Sequence, residues 1–427
     1  MFISILPPPE LASSGRVTDP TTPGGGFLLS DHLLETIIEP AVEERVGAGS
    51  SSAVPAPGPR PPRVVIVIHE ELLGGATLSV IRCAPALTSR GWSISFWVPR
   101  PSEVFDFLTA QGQEVAGAPR PLAYSRAALR VQPGPRARLQ ATPGYLRRFV
   151  SHLRRAGAGL VHANSRTTIA ELAVARALGR RTVFHVHEMA PRGRKGAVAA
   201  RIARRLAHEV VAASEATARS WAIDSWSPRV VYEGVEIPSA LAPLPRRSPL
   251  VVGTIGRISR RKGIDLFVDA AAIVAERGLD VAFEIIGAPT DPLDARWARG
   301  VLARAQALGI RHRLGADVCA ALRVWDVFVL PSRTDPFPIS MLEAMASGRP
   351  VIGTRVDGIA EQVTPDVGLL TEPDDPVALA DAIATLATLP PDARAELGAA
   401  ARRRAEEFSI ERQAEGLDAA YRAAVLR

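Results

Sequence analysis

Short apolar runs that alternate with helical segments constrain this chain more than any other feature of its sequence. The run at 64–68 is wholly apolar and leads into a helical pattern at 77–90, and the same order restarts at 250–256 and 264–277. Continuous apolar strands of this kind are buried on both faces, as in parallel sheets covered by helices. The sequence therefore predicts two doubly wound, Rossmann-like α/β domains that face each other across a cleft at the carboxyl ends of their strands.

Changes in composition mark the predicted domain boundaries. The first 62 residues are rich in glycine, proline and serine, which is typical of a flexible extension. Four prolines between 238 and 249 interrupt the periodicity and predict a linker. The predicted units are an N-terminal extension at 1–62, a first domain at 63–245, a second domain at 246–408, and a C-terminal helix at 409–427 that crosses back to the first domain.

The bulk composition excludes several classes of protein. The 427 residues are 47% hydrophobic and 22% charged, which fits a globular chain with sizeable cores. A formal charge of +7 could indicate nucleic-acid binding, but the basic residues are spread out and no nucleic-acid-binding signature is present. We therefore expect no nucleic-acid partner, and attribute the charge to anionic small molecules or an anionic membrane surface.

The expected compartment is the cytoplasm. Cys83 and Cys319 offer neither a disulfide framework nor the spacing of a metal site. No run of 18 apolar residues is present, and the start of the chain lacks the charged and apolar regions of a secretory signal. We expect a cytoplasmic protein. A second hypothesis adds peripheral contact with the inner face of the membrane.

A basic loop follows the first strand of the second domain. In "GTIGRISRRKGID" (253–265), Arg257 and Lys262 are predicted to lie close together just after the carboxyl end of that strand. Two such cations beside helix N-termini would neutralise a diphosphate without a metal ion. A solvated loop that is basic by composition is the competing interpretation, and Arg260 and Arg261 are predicted to face solvent. Only two of the 51 basic residues are lysine, which favours a functional role for Lys262.

Two acids flank a predicted helix start in "RTDPFPISMLEAMASGRPVI" (333–352). Pro338 is predicted to be the first helical residue, and the free amides near Phe337, Ile339 and Ser340 would suit a phosphate.

Asp335 and Glu343 would repel a phosphate but could each accept two hydrogen bonds from a vicinal diol of a sugar. The competing interpretation makes Asp335 a turn residue and Glu343 an exposed helix charge.

The first domain offers weaker signals. Gly74 and Gly75 follow its first strand and allow a ligand to approach the backbone, although they do not form a dinucleotide fingerprint. His185 and His187 alternate at the end of the strand in "VFHVHE" (183–188), and the position beside the cleft favours a function for His187. No D-x-D follows an apolar strand, so we expect no metal site.

These stretches resemble the group 1 retaining glycosyltransferases of the GT-B fold over residues 63–425. The resemblance rests on the glycine pair after the first strand, on "VHE", on "VVYEGVEI" before the linker and on "GRISRRKG". It is most specific in "VFVLPSRTDPFPISMLEAMASGRPVIGTRVDGIAE" and "GLLTEPDDP". It implies two Rossmann-like domains, an acceptor-side one first and a nucleotide-sugar-binding one second.

The resemblance also implies roles for matching positions of the second domain. Arg257 and Lys262 would clamp the diphosphate of the donor, a UDP- or GDP-sugar. Glu343 would hold the ribose hydroxyls. Asp335 and the turn amides after it would hold the transferred sugar.

For the first domain, the resemblance implies that Gly74 and Gly75 meet the phosphate from across the cleft and that His187 contacts the sugar near the reaction centre. The family transfers a hexose to a hydroxyl acceptor with retention of configuration and without a required metal. The departing β-phosphate is thought to help deprotonate the acceptor.

Departures from the family pattern leave alternatives open. Asp335 stands where the family usually has glutamate, and Glu233-Gly234 stands where an Asn-Gly pair is expected. The alternatives are a non-catalytic GT-B-like module that binds sugar nucleotides, and a nucleotide-sugar epimerase or hydrolase.

A helical segment supplies the membrane hypothesis. "YLRRFVSHLRR" (145–155) places Tyr145, Phe149 and Leu153 on one face with arginines beside it. The competing interpretation is an amphipathic helix that packs its apolar face on the sheet.

Overall fold

Two parallel sheets organise the chain. The computed structural model describes residues 63–121, 135–240, 243–244, 248–290, 292–315 and 317–427, and these residues belong to one compact unit. The predicted flexible extension at 1–62 lies outside the described residues. The strands of the first sheet are β1 (Arg63–Ile68), β2 (Ile94–Pro99), β3 (Val115–Ala118), β4 (Ala158–Asn164), β5 (Arg181–Val186), β6 (Glu209–Ala212) and β7 (Arg229–Val230).

The first sheet has the order β3-β2-β1-β4-β5-β6-β7, with all neighbours parallel. The order reverses direction at β1, which places a crevice at the carboxyl ends of β1 and β4. Its helices are α1 (Gly75–Ser89), α2 (Glu103–Ala110), α3 (Pro135–Arg155), α4 (Ile169–Ala177), α5 (Arg194–Leu206) and α6 (Glu215–Trp221).

The second sheet repeats this arrangement. Its strands are β8 (Leu250–Ile255), β9 (Val281–Ile286), β10 (Arg311–Arg313), β11 (Val327–Leu330), β12 (Val351–Thr354) and β13 (Gly368–Thr371). The order is β10-β9-β8-β11-β12-β13, again wholly parallel. Its helices are α7 (Ile264–Glu276), α8 (Pro292–Ala307), α9 (Val318–Val324), α10 (Ile339–Ala346), α11 (Ile359–Gln362), α12 (Pro376–Thr388) and α13 (Pro391–Glu406).

Burial on both faces explains the apolar strands. In β1, Val64, Ile66 and Ile68 belong to a core cluster shared with α1, whereas Val65 and Val67 belong to a second cluster shared with α3. A strand that is covered on both sides has no face on which polar residues can alternate. The predicted fold class, two doubly wound Rossmann-like domains, is confirmed.

The C-terminal helix α14 (Ile410–Leu426) packs on the first sheet rather than on the second. Leu417, Ala420 and Tyr421 are buried in the same core cluster as Val64 and Ile66. The Tyr421 hydroxyl lies 2.6 Å from Nδ1 of His162 on β4. The end of the chain therefore returns to the domain in which the described residues begin.

The face of 145–155 that the membrane hypothesis uses is not available. Tyr145, Phe149 and Leu153 are buried on the sheet side of α3, where the rings of Tyr145 and Phe149 pack against Trp97. The hypothesis that this apolar face meets a membrane is therefore wrong, because the sheet already covers it. Among the described helices, none is both long and apolar enough to cross a bilayer.

Candidate functional site

The predicted helix start lies at the carboxyl end of the second sheet. Strand β11 ends at Leu330, a turn follows, and α10 begins at Ile339 with Pro338 as its N-cap in extended backbone conformation. The prediction of Pro338 as the first helical residue is therefore off by one position, because the helix begins at Ile339. The first amides of α10, at Ile339 and Ser340, have no partner inside the helix and carry the positive end of its dipole.

A buried ion pair holds the turn between β11 and α10. Lys262 Nζ donates to Asp335 Oδ2 over 2.6 Å, and the Ser332 hydroxyl donates to the same oxygen over 3.2 Å. Burial alone would raise the pKa of Asp335, but the charges of Lys262 and Arg261 outweigh it and lower that pKa. Asp335 is therefore an anion at neutral pH, even though it is buried.

Arg261 does not simply face solvent, and that part of the prediction is wrong. Its Nη1 lies 3.4 Å from Asp335 Oδ1 and donates to the Thr334 carbonyl over 3.0 Å. Arg257, in contrast, is exposed, and no described residue forms an ion pair with it. Arg257 is the more accessible cation for an external anion.

Close backbone contact brings the basic loop to this place. Gly263 has a φ of +65°, and a Cβ there would lie 1.9 Å from the Pro331 carbonyl oxygen. Only glycine allows the loop after β8 to approach the end of β11 so closely. The loop after β12 also holds the turn of Asp335, because Asp357 Oδ2 accepts from the Asp335 amide over 2.9 Å.

Contacts from the first domain reach the same helix. Arg82 of α1 donates to Glu343 Oε1 over 3.0 Å, and both side chains are buried. A Cβ on Gly75 would be 3.7 Å from Ile339 Cδ1. Gly75 of the first domain therefore lies beside Ile339 at the N-terminus of α10.

Burial raises the pKa of Glu343, and the neighbouring Arg82 offsets only part of that effect. Of the two carboxyl oxygens, Oε1 is the one that accepts from Arg82. Glu343 is therefore neither solvated nor free, and the interpretation of it as an exposed helix charge is wrong.

Gly74 makes room for another carboxylate. A Cβ at Gly74 would lie 2.6 Å from Glu70 Oε2, the oxygen that also accepts from the Thr77 hydroxyl over 2.5 Å. Glu70 follows β1, so its carboxylate lies at the carboxyl edge of the first sheet. Because Gly74 has no side chain, the Glu70 carboxylate can lie against its backbone.

His187 lies at the end of β5 with both ring nitrogens engaged. Nδ1 contacts Glu233 Oε1 in a short hydrogen bond, and Nε2 lies 2.7 Å from Asn164 Oδ1. Burial alone would lower the pKa of His187, but the Glu233 carboxylate outweighs it and raises the pKa. Because both partners are acceptors, this geometry favours the doubly protonated imidazolium.

The C-terminal helix supports this histidine indirectly. Gln413 of α14 donates from Nε2 to Glu233 Oε2 over 3.3 Å and to the Ser79 hydroxyl over 2.6 Å. Its Oε1 accepts from the Gly234 amide over 3.1 Å. Glu233, the departure from the expected Asn-Gly pair, is therefore built into the network that holds His187.

One group of side chains in the described ranges has the composition of a metal site. Ligand atoms of His185, His187 and Glu233 all lie within 4.8 Å of one another. The buried nitrogens of His185 have no hydrogen-bond partner among the described residues, and burial keeps the pKa of His185 well below its usual value. His187, however, already uses both nitrogens, so we interpret the group as a stacked histidine pair, with ring centroids 3.9 Å apart.

The structure brings most of the predicted residues to one place. Lys262, Asp335, Phe337, Ile339, Ser340, Glu343 and Gly75 lie at or beside the N-terminal half of α10. Phe337 itself is buried against Tyr232 and Phe408. The residues that sequence reasoning missed are the partners, namely Arg82, Asn164, Glu70 and Asp357, for which short motifs carry no signal.

Two family models match this chain. Residues 249–388 match the family model of glycosyl transferases group 1, and residues 73–239 match that of glycosyltransferase family 4.

Two curated relatives are similar over part of the chain. The lipopolysaccharide core biosynthesis mannosyltransferase LpsB of Rhizobium meliloti is 33% identical over 180 residues, which are 40% of this chain and 50% of that protein. A D-inositol 3-phosphate glycosyltransferase of Salinispora tropica is 35% identical over 196 residues, or 43% and 40% of the two chains. The chain thus spans half or less of the length of these relatives.

Solved structures show the same fold. Anabaena HepE in complex with UDP and glucose superposes with a TM-score of 0.69 at 19% identity, and covers 84% of this chain and 98% of that one. Sucrose-phosphate synthase from Thermosynechococcus elongatus superposes with a TM-score of 0.65 at 22% identity, with coverage of 84% and 98%. Both sheets and the cleft are therefore those of the GT-B fold.

Replacing Glu233 tests the charge of His187. In Glu233→Gln the carboxylate that raises the pKa of His187 is lost, so we expect that pKa to fall. A raised pKa stabilises the fold below pH 6.5, and this contribution disappears as pH rises through the folded-state value. Urea unfolding between pH 5.5 and 9 should therefore show that Glu233→Gln loses most stability, relative to the unchanged protein, at acid pH. The loss in the free energy of unfolding is about 1.4 kcal/mol for each unit by which the pKa of His187 falls.

Histidine imidazole NMR measures the same pKa directly, and Glu215→Gln on the exposed start of α6 serves as the charge-matched control. A His187 pKa that is equal in the two variants would contradict the assignment.

Replacing Arg82 tests the pair across the cleft. Arg82→Met leaves Glu343 buried without its cation, which typically costs about 3–5 kcal/mol. Because burial already raises the pKa of Glu343, this cost should be largest above that pKa and shrink as acid protonates the carboxyl group.

Urea unfolding at pH 7.5 and pH 5 measures the difference. The double variant Arg82→Met, Glu343→Gln should recover part of the loss, and a pH-independent cost with no recovery would show that the pair does not act as described.

Proposed function

The chain belongs to the group 1 glycosyltransferases, and from that premise we propose that it transfers a hexose from a UDP- or GDP-sugar to a hydroxyl acceptor. The acceptor classes are a glycan, a lipid or a small molecule. We further propose that the reaction retains the anomeric configuration and requires no metal.

The buried ion pair beside the amide end of α10 carries this proposal. Lys262 Nζ lies 2.6 Å from Asp335 Oδ2, and the exposed Arg257 belongs to the same loop after β8. A diphosphate that enters here would meet two cations and the free amides of Ile339 and Ser340. These groups supply the positive charge for which other sugar-nucleotide enzymes use a divalent ion.

The acids then select the sugar parts of the donor. When Lys262 turns from Asp335 toward the diphosphate, the Asp335 carboxylate becomes available to hydroxyls of the transferred sugar. Glu343 lies about one turn along α10 from its first residue, Ile339, where a ribose would lie if the diphosphate bound at the helix N-terminus. Arg82 must share or release Glu343 when the ribose binds.

The proposed transfer step is a displacement on one face of the sugar. The bond from the anomeric carbon to the phosphate oxygen breaks, and a bond from that carbon to the acceptor oxygen forms on the same face. The acceptor proton passes to the departing phosphate oxygen. We assign His187 a place near the transferred sugar, where its imidazolium would stabilise the negative charge of the leaving group.

A non-catalytic GT-B-like module, or a nucleotide-sugar epimerase or hydrolase, would use the same donor contacts. Asp335 is bonded to Lys262 and His187 to Glu233 in this structure. These contacts favour the module, because neither side chain is free to contact a sugar. These functions differ in their products, so a single experiment separates them.

The test combines binding with product analysis. Calorimetry with UDP and GDP on the full chain should show binding that Arg257→Ala and Lys262→Ala each weaken about 10- to 100-fold, the usual effect of losing a charged hydrogen bond. Arg260→Ala is the matched control, because its exposed guanidinium lies over Trp297 instead, 5.4 Å from the ring centroid.

Mass spectrometry of donor panels with cell extract should then show an acceptor heavier by one hexose, and NMR should show the donor's anomeric configuration in it. Binding without transfer supports the module, and a changed or hydrolysed donor supports the other enzymes.

A different helix favours peripheral membrane contact. On α5, Val198 and Ile202 are 52% and 42% exposed, one turn apart on the outer face. The helix carries five basic residues and no acid, and it packs inward through Gly196, Ala200 and Ala203. This combination suits an anionic lipid surface, so we propose a cytoplasmic protein that contacts the inner face of the membrane through α5.

Vesicle co-sedimentation at low salt tests this contact. Replacing Val198 and Ile202 by serine should reduce pelleting with anionic vesicles several-fold, because the apolar pair no longer enters the interface. Val377→Ser, equally exposed on α12, should have no effect. Equal pelleting of all three proteins would exclude α5 as the contact.

A further inference from the structure

A second basic site lies outside the cleft. A cavity of about 420 Å³ opens between α3 and the strands β2 and β3. Four arginines line it, together with Trp97 and Ser151; they are Arg100, Arg147, Arg148 and Arg155. Its volume falls in the range of ligand pockets, so it has room for more than a single phosphate group.

The wall of this cavity is fixed by buried hydrogen bonds. Trp97 Nε1 donates to the Tyr145 hydroxyl over 2.9 Å, and that hydroxyl donates to Glu171 Oε1 over 2.8 Å. Arg120 Nε donates to the same carboxyl oxygen over 3.0 Å. A chain of four buried side chains therefore holds Trp97 in place, and the cavity does not depend on mobile surface groups alone.

The edge strand β3 also contributes to the lining. Gly117 lines the cavity, and a Cβ there would lie 2.4 Å from the Val98 carbonyl oxygen and 3.2 Å from Arg100 Cβ. The absence of a side chain at Gly117 allows β3 and Arg100 to approach. The guanidinium of Arg100 lies over the ring of Phe105 on α2, 4.5 Å from its centroid.

The charge of the cavity is uncompensated. Within the described part of the chain, no carboxylate pairs with Arg100, Arg147, Arg148 or Arg155. Glu114 adjoins the cavity, but its carboxylate is taken by Arg63. Residues 135–206 carry 16 basic and two acidic residues, although the whole chain has a net charge of only +7. Four exposed arginines that line one cavity without a paired acid favour an external anion, and phosphate suits the planar guanidinium group.

This cavity is separate from the proposed donor site. β3 is the edge strand, four strand spacings from β5 and His187, or about 19 Å across the sheet. None of the lining residues is a predicted donor contact. We propose that the cavity binds the phosphate monoester or diphosphate group of a second ligand, either a free metabolite or a lipid headgroup. This proposal does not depend on the proposed function.

Calorimetry of the full chain with inorganic pyrophosphate tests the site at constant ionic strength. The variant Arg147→Gln, Arg148→Gln should lose one binding component or weaken it at least 10-fold, because two guanidiniums leave the cavity. The charge-matched control is Arg296→Gln, Arg299→Gln, an exposed pair on α8. Lys262→Ala should affect only a separate component, so failure of the donor site and failure of this site are distinguishable.

Vesicles separate the two sources of phosphate. The same proteins are sedimented with phosphatidylcholine vesicles that contain phosphatidic acid or, at equal charge, phosphatidylserine. A pyrophosphate component lost only in the cavity variant supports a free metabolite. Selective loss of phosphatidic acid binding in that variant, without a soluble component, supports a lipid headgroup. If neither probe distinguishes the cavity variant from its control, the proposal is wrong.

Discussion

Parallel hydrogen bonding within each sheet is the constraint on which the site depends. Because every strand of a parallel sheet runs the same way, all carboxyl ends meet at one edge, and loops far apart in sequence become neighbours there. Lys262 follows β8 and Asp335 follows β11, and these adjacent strands put their side chains 2.6 Å apart. The same rule places His187 beside Asn164, since β4 and β5 are paired.

Three acidic side chains are buried in the cleft. Asp335, Glu343 and Glu233 are all buried, and each has a basic partner, namely Lys262, Arg82 and His187. A buried charge is tolerated only when it is paired and hydrogen bonded. At Asp335 the charges of the basic partners outweigh burial and lower the pKa. At Glu343 burial outweighs the charge of Arg82 and raises the pKa. The pKa values of two acids on one turn-and-helix segment are thus shifted in opposite directions.

Charge is distributed unevenly over the molecule, and this matters more than the total. The segment 135–206 has a net charge of +14, so the rest of the chain is net negative. Its helices α3, α4 and α5 form a layer over the first sheet, with the cavity at one end and the exposed apolar pair of α5 at the other. Composition alone predicted a general attraction to anions, whereas the fold places basic residues of this layer both around the cavity beside α3 and on the exposed face of α5.

Local patterns determined the architecture and the turns of the candidate site. Apolar runs, glycine breaks and the proline before α10 act over a few residues, so the two α/β domains, the loop of Lys262 and the turn of Asp335 could be predicted from sequence. The partners of these side chains could not be predicted. Arg82 and Glu343 are 261 positions apart, and Gln413 and Glu233 are 180 apart. The apolar face of 145–155 likewise gave no indication whether sheet or membrane would cover it. Such pairings depend on how separate elements pack, because burial and hydrogen bonding between distant segments are properties of the assembled fold, and only the tertiary structure decided them.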